Sequence, residues 1–81
     1  MSNEEYPSVI VEWLDSCMPA ENSEVLPEDI PDPDHITHCG FLVKETDEFV
    51  AIAGGVKRDP LCFDFVISIP KFAIQSITSL S

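Results

Sequence analysis

Apolar and polar residues alternate along this chain in short runs, and the period is two. Val9-Ile10-Val11-Glu12-Trp13-Leu14 puts Val9, Val11 and Trp13 on one face and Ile10, Glu12 and Leu14 on the other. Its β-branched and aromatic content predicts a first strand. Ile36 to Lys44 predicts a second strand and Phe49 to Ala53 a third, joined by the polar, hairpin-type stretch Glu45-Thr46-Asp47-Glu48. Gly54 to Pro60 contains two glycines and a proline and predicts a turn. From Leu61 to Ile69 the alternation is at its cleanest. Leu61, Phe63, Phe65, Ile67 and Ile69 share one face; Cys62, Asp64, Val66 and Ser68 share the other, which Asp64 marks as wet. Pro70-Lys71-Phe72-Ala73 has the length of a single helical turn with proline near its start. Ile74 to Leu80 then returns to strand character. A helix continuing from Pro70 is the competing reading, and Ile74, Ile77 and Thr78 weigh against it.

Between the first two strands lies Met18 to Asp34, MPAENSEVLPEDIPDPD. Pro19, Pro27, Pro31 and Pro33 prevent a ladder or a long helix there. The stretch is longer than the ~12–15 residues usual for a structureless loop. It reads either as a solvated surface loop or as an acidic binding loop for a basic partner.

The predicted fold is therefore mostly β: strand, long acidic Pro-rich loop, two-stranded hairpin, turn, strand, single helical turn, last strand. This is the layout of a small five-stranded barrel of SH3-like or Sm-like type. Closure would remove apolar strand edges that otherwise invite pairing. The 81 residues, 44% of them apolar, suit one domain over 1–81 with residues 18–34 as its acidic loop. A core of this size is marginal, so self-association is a natural second source of stability.

Three blocks carry a resemblance. Val9-Ile-Val-Glu-Trp-Leu-Asp-Ser-Cys17, Gly40-Phe-Leu-Val-Lys-Glu-Thr-Asp-Glu-Phe-Val50 and Ile69-Pro-Lys-Phe-Ala-Ile-Gln-Ser-Ile77 resemble small bacteriophage-encoded proteins. The second and third also resemble the central hairpin and the last strand junction of Sm-like barrels. The resemblance implies a viral accessory protein acting in the host cytoplasm, with ring formation through the last two strands. Sm-like proteins that bind RNA generally do so with basic and polar loop residues, and this chain has few of them.

Charge sharpens the picture. Fifteen acids face four bases, for a net charge of −11. Ten of the acids and none of the bases precede His35, so the first part carries −10 and the remainder −1. Direct nucleic-acid binding and attachment to an anionic membrane both need a basic footprint and are not expected. No apolar run approaches the ~18 residues of a membrane span. The polar, acidic start MSNEEYPS is unlike a signal peptide. Cys17, Cys39 and Cys62 are far apart, without CxxC spacing. They read as reduced cytosolic thiols, each expected to be a small buried hydrophobe without a disulfide.

Candidate chemistry is sparse. His35, His38 and Cys39 form an HxxHC run which, with Cys17, could be imagined around zinc. The spacing matches no standard site, and two residues three apart on a strand point to opposite faces. No metal or cofactor is expected. Ser16, Cys17, His38 and Asp64 are reactive types that no motif binds together, and Gly54-Gly55 reads as a turn. An enzyme is not expected. Lys57 and Arg58 are the only adjacent bases; repeated around a symmetry axis, with Lys44 or Lys71 nearby, they could hold a small phosphorylated ligand. Phe63, Phe65 and Phe72 could stack a base, with core packing the alternative. Glu28, Asp29, Asp32 and Asp34 are the partner-facing candidates of the acidic loop, and Trp13 is the interface anchor if exposed.

The expected function is non-catalytic and stoichiometric, on a host process. The leading form is a homo-oligomeric sponge that sequesters a nucleotide immune signal. Alternatives are an acidic decoy occupying a basic surface of a host protein, or a ring-forming structural subunit. A peptide module of SH3 type is a further class, lacking the usual aromatic strip and offering only Tyr6 and Trp13 near the loop.

Overall fold

The computed structural model describes residues 6–16 and 24–80. Seven strands form two antiparallel sheets: β1 (Ser8–Asp15), β2 (Asp34–Glu45), β3 (Phe49–Ala53), β4 (Gly55–Arg58), β5 (Leu61–Asp64), β6 (Ile67–Pro70) and β7 (Ile74–Ser79). The larger sheet has the order β6-β3-β2-β1-β7, and β4 pairs only with β5. Two 3-10 turns, Pro27–Asp29 and Lys71–Ala73, complete the described elements.

The central strands fold as their alternation dictates. Along β1, Val9, Val11 and Trp13 are buried. Val50, Ile52 and Ile69 complete the buried cluster, with Ile36, Leu42, Ile67, Ala73 and Ile74 packed against it. The sheet wraps around this cluster without closing. β6 pairs only with β3 and β7 only with β1, so both are edges, bridged by the Lys71–Ala73 turn. The expected wrapping of five strands into a closed barrel is thus corrected to an open sheet plus an arm.

The arm comes from a second correction. The run Leu61 to Ile69, expected as one strand, breaks at Phe65, whose φ of 54° lies in the left-handed region. Leu61–Asp64 instead turns back on Gly55–Arg58, which was expected to be a turn. The β4–β5 arm is small, and a lone two-stranded hairpin is marginal in water. It is supported by Tyr6, whose ring meets Phe63 edge-on at 5.3 Å, with the Arg58 guanidinium 5.7 Å from the Tyr6 centroid.

Phe65 is 91% exposed, so its ring is almost unburied while its backbone is held where a side chain crowds the carbonyl. Phe65→Gly should therefore raise the urea midpoint, by roughly 0.5–1 kcal/mol of stability. A lowered midpoint would mean that the ring contributes packing that outweighs the strain.

Of the predicted acidic loop, residues 18–23 lie outside the described residues. Within 24–33 the only regular element is the Pro27–Asp29 turn, and β2 begins at Asp34, two residues before the expected Ile36. Cys39 and Cys62 are free and exposed, contrary to the expected burial. The pleat puts Cys39 on the face of β2 opposite Ile36 and His38, and Cys62 beside Lys57 on the arm. Cys17 lies outside the described residues. Among the described residues, no helix is long and apolar enough to cross a membrane.

Candidate functional site

The Lys71–Ala73 turn packs Ala73 against the core and holds Phe72 out from the seam between β6 and β7. Phe72 is 92% exposed. On one side it walls a groove of about 570 Å³, lined also by Asp47, Glu48, Phe49, Pro70 and Lys71. On the other it borders a smaller hollow of about 270 Å³ with Leu14, Asp15, Pro33 and Gln75. An exposed aromatic residue thus stands between a pair of carboxylates and the end of the acidic segment.

Local chemistry fixes this geometry. The Thr46 hydroxyl accepts hydrogen bonds from the backbone N–H groups of Glu48 and Phe49, each at 3.1 Å. The Thr46 N–H donates to the Phe49 carbonyl at 2.9 Å, closing the turn between β2 and β3. The Lys71 N–H donates to the Glu48 carbonyl at 2.8 Å and ties that turn to the one bearing Phe72. Thr46→Val removes the hydroxyl that accepts two N–H groups, and should lower stability by about 1–2 kcal/mol in urea unfolding. An unchanged midpoint would show that the turn holds its shape without it.

Electrostatically the groove is acidic. The Lys71 ammonium lies 2.9 Å from a Glu45 carboxylate oxygen, leaving the excess to Asp47 and Glu48. That ion pair is about half exposed, so it orients side chains more than it stabilises the fold.

The candidate ligand-binding bases do not converge within one chain. Lys44 lies over the Phe49 ring at 5.8 Å, near Lys71 and the turn after β2. Lys57 and Arg58 lie on the arm, which begins beyond the other end of β3. Glu28, Asp29, Asp32 and Asp34 are all exposed. Trp13 is 8% exposed, and its indole N–H donates to His38 Nδ1 at 3.1 Å. It is a core residue of β1, which removes it from the partner-facing surface.

His35 and His38 face opposite ways, as their spacing requires. His35 Nε2 is 3.3 Å from Glu12 on one face, while His38 receives Trp13 on the other. Among the described residues, His, Cys, Asp and Glu form no group of three able to hold a metal ion. Ser16 follows the last residue of β1, His38 meets Trp13 and Asp64 lies on the arm, so these reactive types are dispersed. Set beside protein-family models, curated proteins and solved structures, the chain gives no match.

Proposed function

We propose that this chain is a non-catalytic binding protein that acts by stoichiometric contact, and that its working surface is the acidic groove walled by Phe72. The partner is a protein offering a basic segment with apolar side chains. The observation carrying this reading is the placement of Phe72, 92% exposed, beside Asp47 and Glu48. An aromatic anchor next to uncompensated carboxylates suits a lysine- or arginine-bearing apolar peptide: the ring supplies contact area and the charge supplies steering. Glu28, Asp29, Asp32 and Asp34 extend the acidic field toward Pro33 at the edge of the neighbouring hollow. This is the acidic inhibitor or decoy, fitting a small phage protein that blocks a basic surface in the host cytoplasm. The order β6-β3-β2-β1-β7, with a 3-10 turn between the edge strands, supports reading the scaffold as an SH3-like or Sm-like barrel that stops short of closure.

The test is calorimetric titration with a synthetic peptide of alternating lysine, proline and leucine. Binding should weaken steeply with salt. Phe72→Ala and Asp47→Asn/Glu48→Gln should each weaken it about tenfold or more, consistent with loss of an interface anchor. If neither pair of changes alters the affinity, the groove is not the working surface.

A second reading rests on a separate observation. Neither β6 (Ile67–Pro70) nor β7 (Ile74–Ser79) carries a charged residue, so both edges lack the commonest guard against pairing. Edge pairing between copies would build a ring, either structural or a sponge whose repeated Lys57 and Arg58 trap a phosphorylated nucleotide. Thermal stabilisation by a panel of cyclic and ADP-ribose-type nucleotides, lost in Lys57→Ala/Arg58→Ala, would support the sponge. No shift across the panel removes it.

A further inference from the structure

The two edges of the larger sheet are not equivalent, and their ladders show why. At the end of β6 the Lys71 N–H donates to the Glu48 carbonyl at 2.8 Å, so position 71 bonds toward β3. Antiparallel bonding alternates residue by residue. Ile69 and Ile67, opposite Val50 and Ile52, therefore bond toward β3 as well, while Ser68 and Pro70 turn their backbone groups outward. Pro70 has no N–H. Within this four-residue strand the outer rim thus offers one donor, from Ser68.

β7 differs. The Leu80 N–H donates to the Ser8 carbonyl at 2.9 Å, so Leu80, and with it Thr78 and Ser76, bond toward β1. Ile77 lies between them and turns both its N–H and its carbonyl away from the sheet. Proline guards the rim of β6; β7 has neither proline nor charge, and no residue from Phe72 to Ser81 is charged. The side chains agree. Ile77 stands opposite the fully buried Val11 and so takes the core face, yet it is 41% exposed, because β7 has β1 as its only strand neighbour.

Charge and bonding pattern select the occupant. Two copies carrying −11 each repel over most of their surface. Side by side at β7 they meet where neither carries a charge. The one charged residue that β1 pairs with β7 is Glu12, which lies 3.3 Å from His35. Glu12 of one copy and Glu12 of the next would be three strand spacings apart, about 14 Å, beyond the ~8–10 Å over which exposed charges act at ordinary salt. A two-fold axis at Ile77 sets an outward residue against an outward residue, so each Ile77 N–H meets the carbonyl of the other. The β6 rim of a second copy, interrupted by Pro70, answers that pattern less well.

We propose that two copies join by antiparallel pairing of β7 with β7 about a two-fold axis at Ile77. The two five-stranded sheets become one continuous sheet with both cores on the same side, and the paired Ile77 side chains cover each other. This rests on the pairing of copies raised above and changes its outcome: the contact is isologous and closes at two, so it builds no ring.

The test uses the full chain. Sedimentation equilibrium should show monomer and dimer, with association tightening about threefold or more between 50 and 300 mM salt as repulsion between acidic copies is screened. Peptide binding to the groove has the opposite salt dependence, so the two surfaces are told apart. Amide hydrogen exchange, read by NMR at low and high concentration, reports position. The Ile77 amide should exchange about tenfold or more slowly in the dimer, while the Thr78 amide, already held by β1, should not change. Ile77→Lys puts a charge on the axis from both sides and should give a monomer. Thr78→Lys, at an exposed position, replaces it if Ile77→Lys melts early by Trp13 emission. A protein that stays monomeric at millimolar concentration overturns the proposal and the ring together. Species larger than two overturn the proposal and leave the ring standing. A dimer with unchanged Ile77 exchange, or one that survives both lysine variants, overturns it too and moves the contact away from β7.

Discussion

Gly40→Ala should unfold at a markedly lower urea concentration than the unaltered protein, with a loss of roughly 1–3 kcal/mol or somewhat more. Gly40 lies in the middle of β2, opposite Val9 of β1. Its backbone is not in the left-handed region, so conformational freedom is not the reason for glycine here. Space is the reason. A Cβ on residue 40 would lie 2.6 Å from the Ala53 carbonyl oxygen and 2.7 Å from Ile52 Cγ2. The methyl group can swing aside, but the carbonyl cannot, because Ala53 is fixed by its pairing with Phe41. β2 and β3 would have to separate at the point where the sheet turns over its core. Against a total of roughly 4–12 kcal/mol for a chain of this size, that is a large fraction. Ile52→Val added to Gly40→Ala should not restore stability, since it leaves Cγ2 and the carbonyl in place. Gly54→Ala provides the contrast. Its Cβ would meet the Phe65 Cβ at 3.2 Å, next to an exposed side chain with room to shift. Equal midpoints for Gly40→Ala and the unaltered protein would show that the sheet opens there freely.

The same close approach explains why some elements were legible in the sequence and others were not. Phe49–Ala53 emerges with its predicted bounds because a polar turn held by Thr46 stops it on one side and Gly54 on the other. The buried face of β1 follows from alternation alone, since that strand has a neighbour on each side and one face on the core. Alternation also misleads. It runs unbroken from Leu61 to Ile69, yet Phe65 adopts φ 54° and divides the run between two sheets. Period two reports which face a side chain takes, not which sheet its strand joins. Gly54-Gly55 was a true bend signal of the wrong extent: Gly54 bends, while Gly55 opens β4, where Val56 faces Phe63 across the arm.

The candidate site was less legible, for a reason of distance along the chain. Asp47 and Glu48 read as turn residues, and Phe72 as an apolar residue in a short helical turn. Nothing in a linear pattern brings residues 47–49 against 70–72. The Glu48 carbonyl does so by accepting the Lys71 N–H. The available signal was a phenylalanine in a three-residue turn, where Ala73 takes the side facing the core and Phe72 is left outside. Net charge pointed to the loop at 28–34, where the acids are densest, rather than to the two carboxylates beside an aromatic ring. Trp13 illustrates the converse: its alternation with Val9 and Val11 pointed to the core and left an anchor role only if it were exposed, and it is buried with its indole N–H on His38.

Ile69→Ala should be the most damaging single change at the seam, losing about 2–5 kcal/mol in urea unfolding. Ile69 is fully buried, and it sits on β6, a four-residue edge strand held on one side only by β3. Truncation removes transfer energy and leaves a cavity. The edge position makes collapse around that cavity the same event as peeling β6 from the sheet. Pro70, Lys71 and Phe72 follow directly, so loosening β6 should also release the groove wall. Peptide affinity should therefore fall in Ile69→Ala even at low temperature, where most molecules remain folded. Ile77→Ala on the opposite edge provides the comparison. Ile77 is 41% exposed, so its truncation should lose less than about 1 kcal/mol and leave the groove unaffected. If the two variants lose equal stability, the core does not extend under β6 as drawn. If Ile69→Ala keeps full peptide affinity while losing stability, Phe72 is positioned by the Glu48–Lys71 hydrogen bond alone, and the edge strand is only a support for the fold.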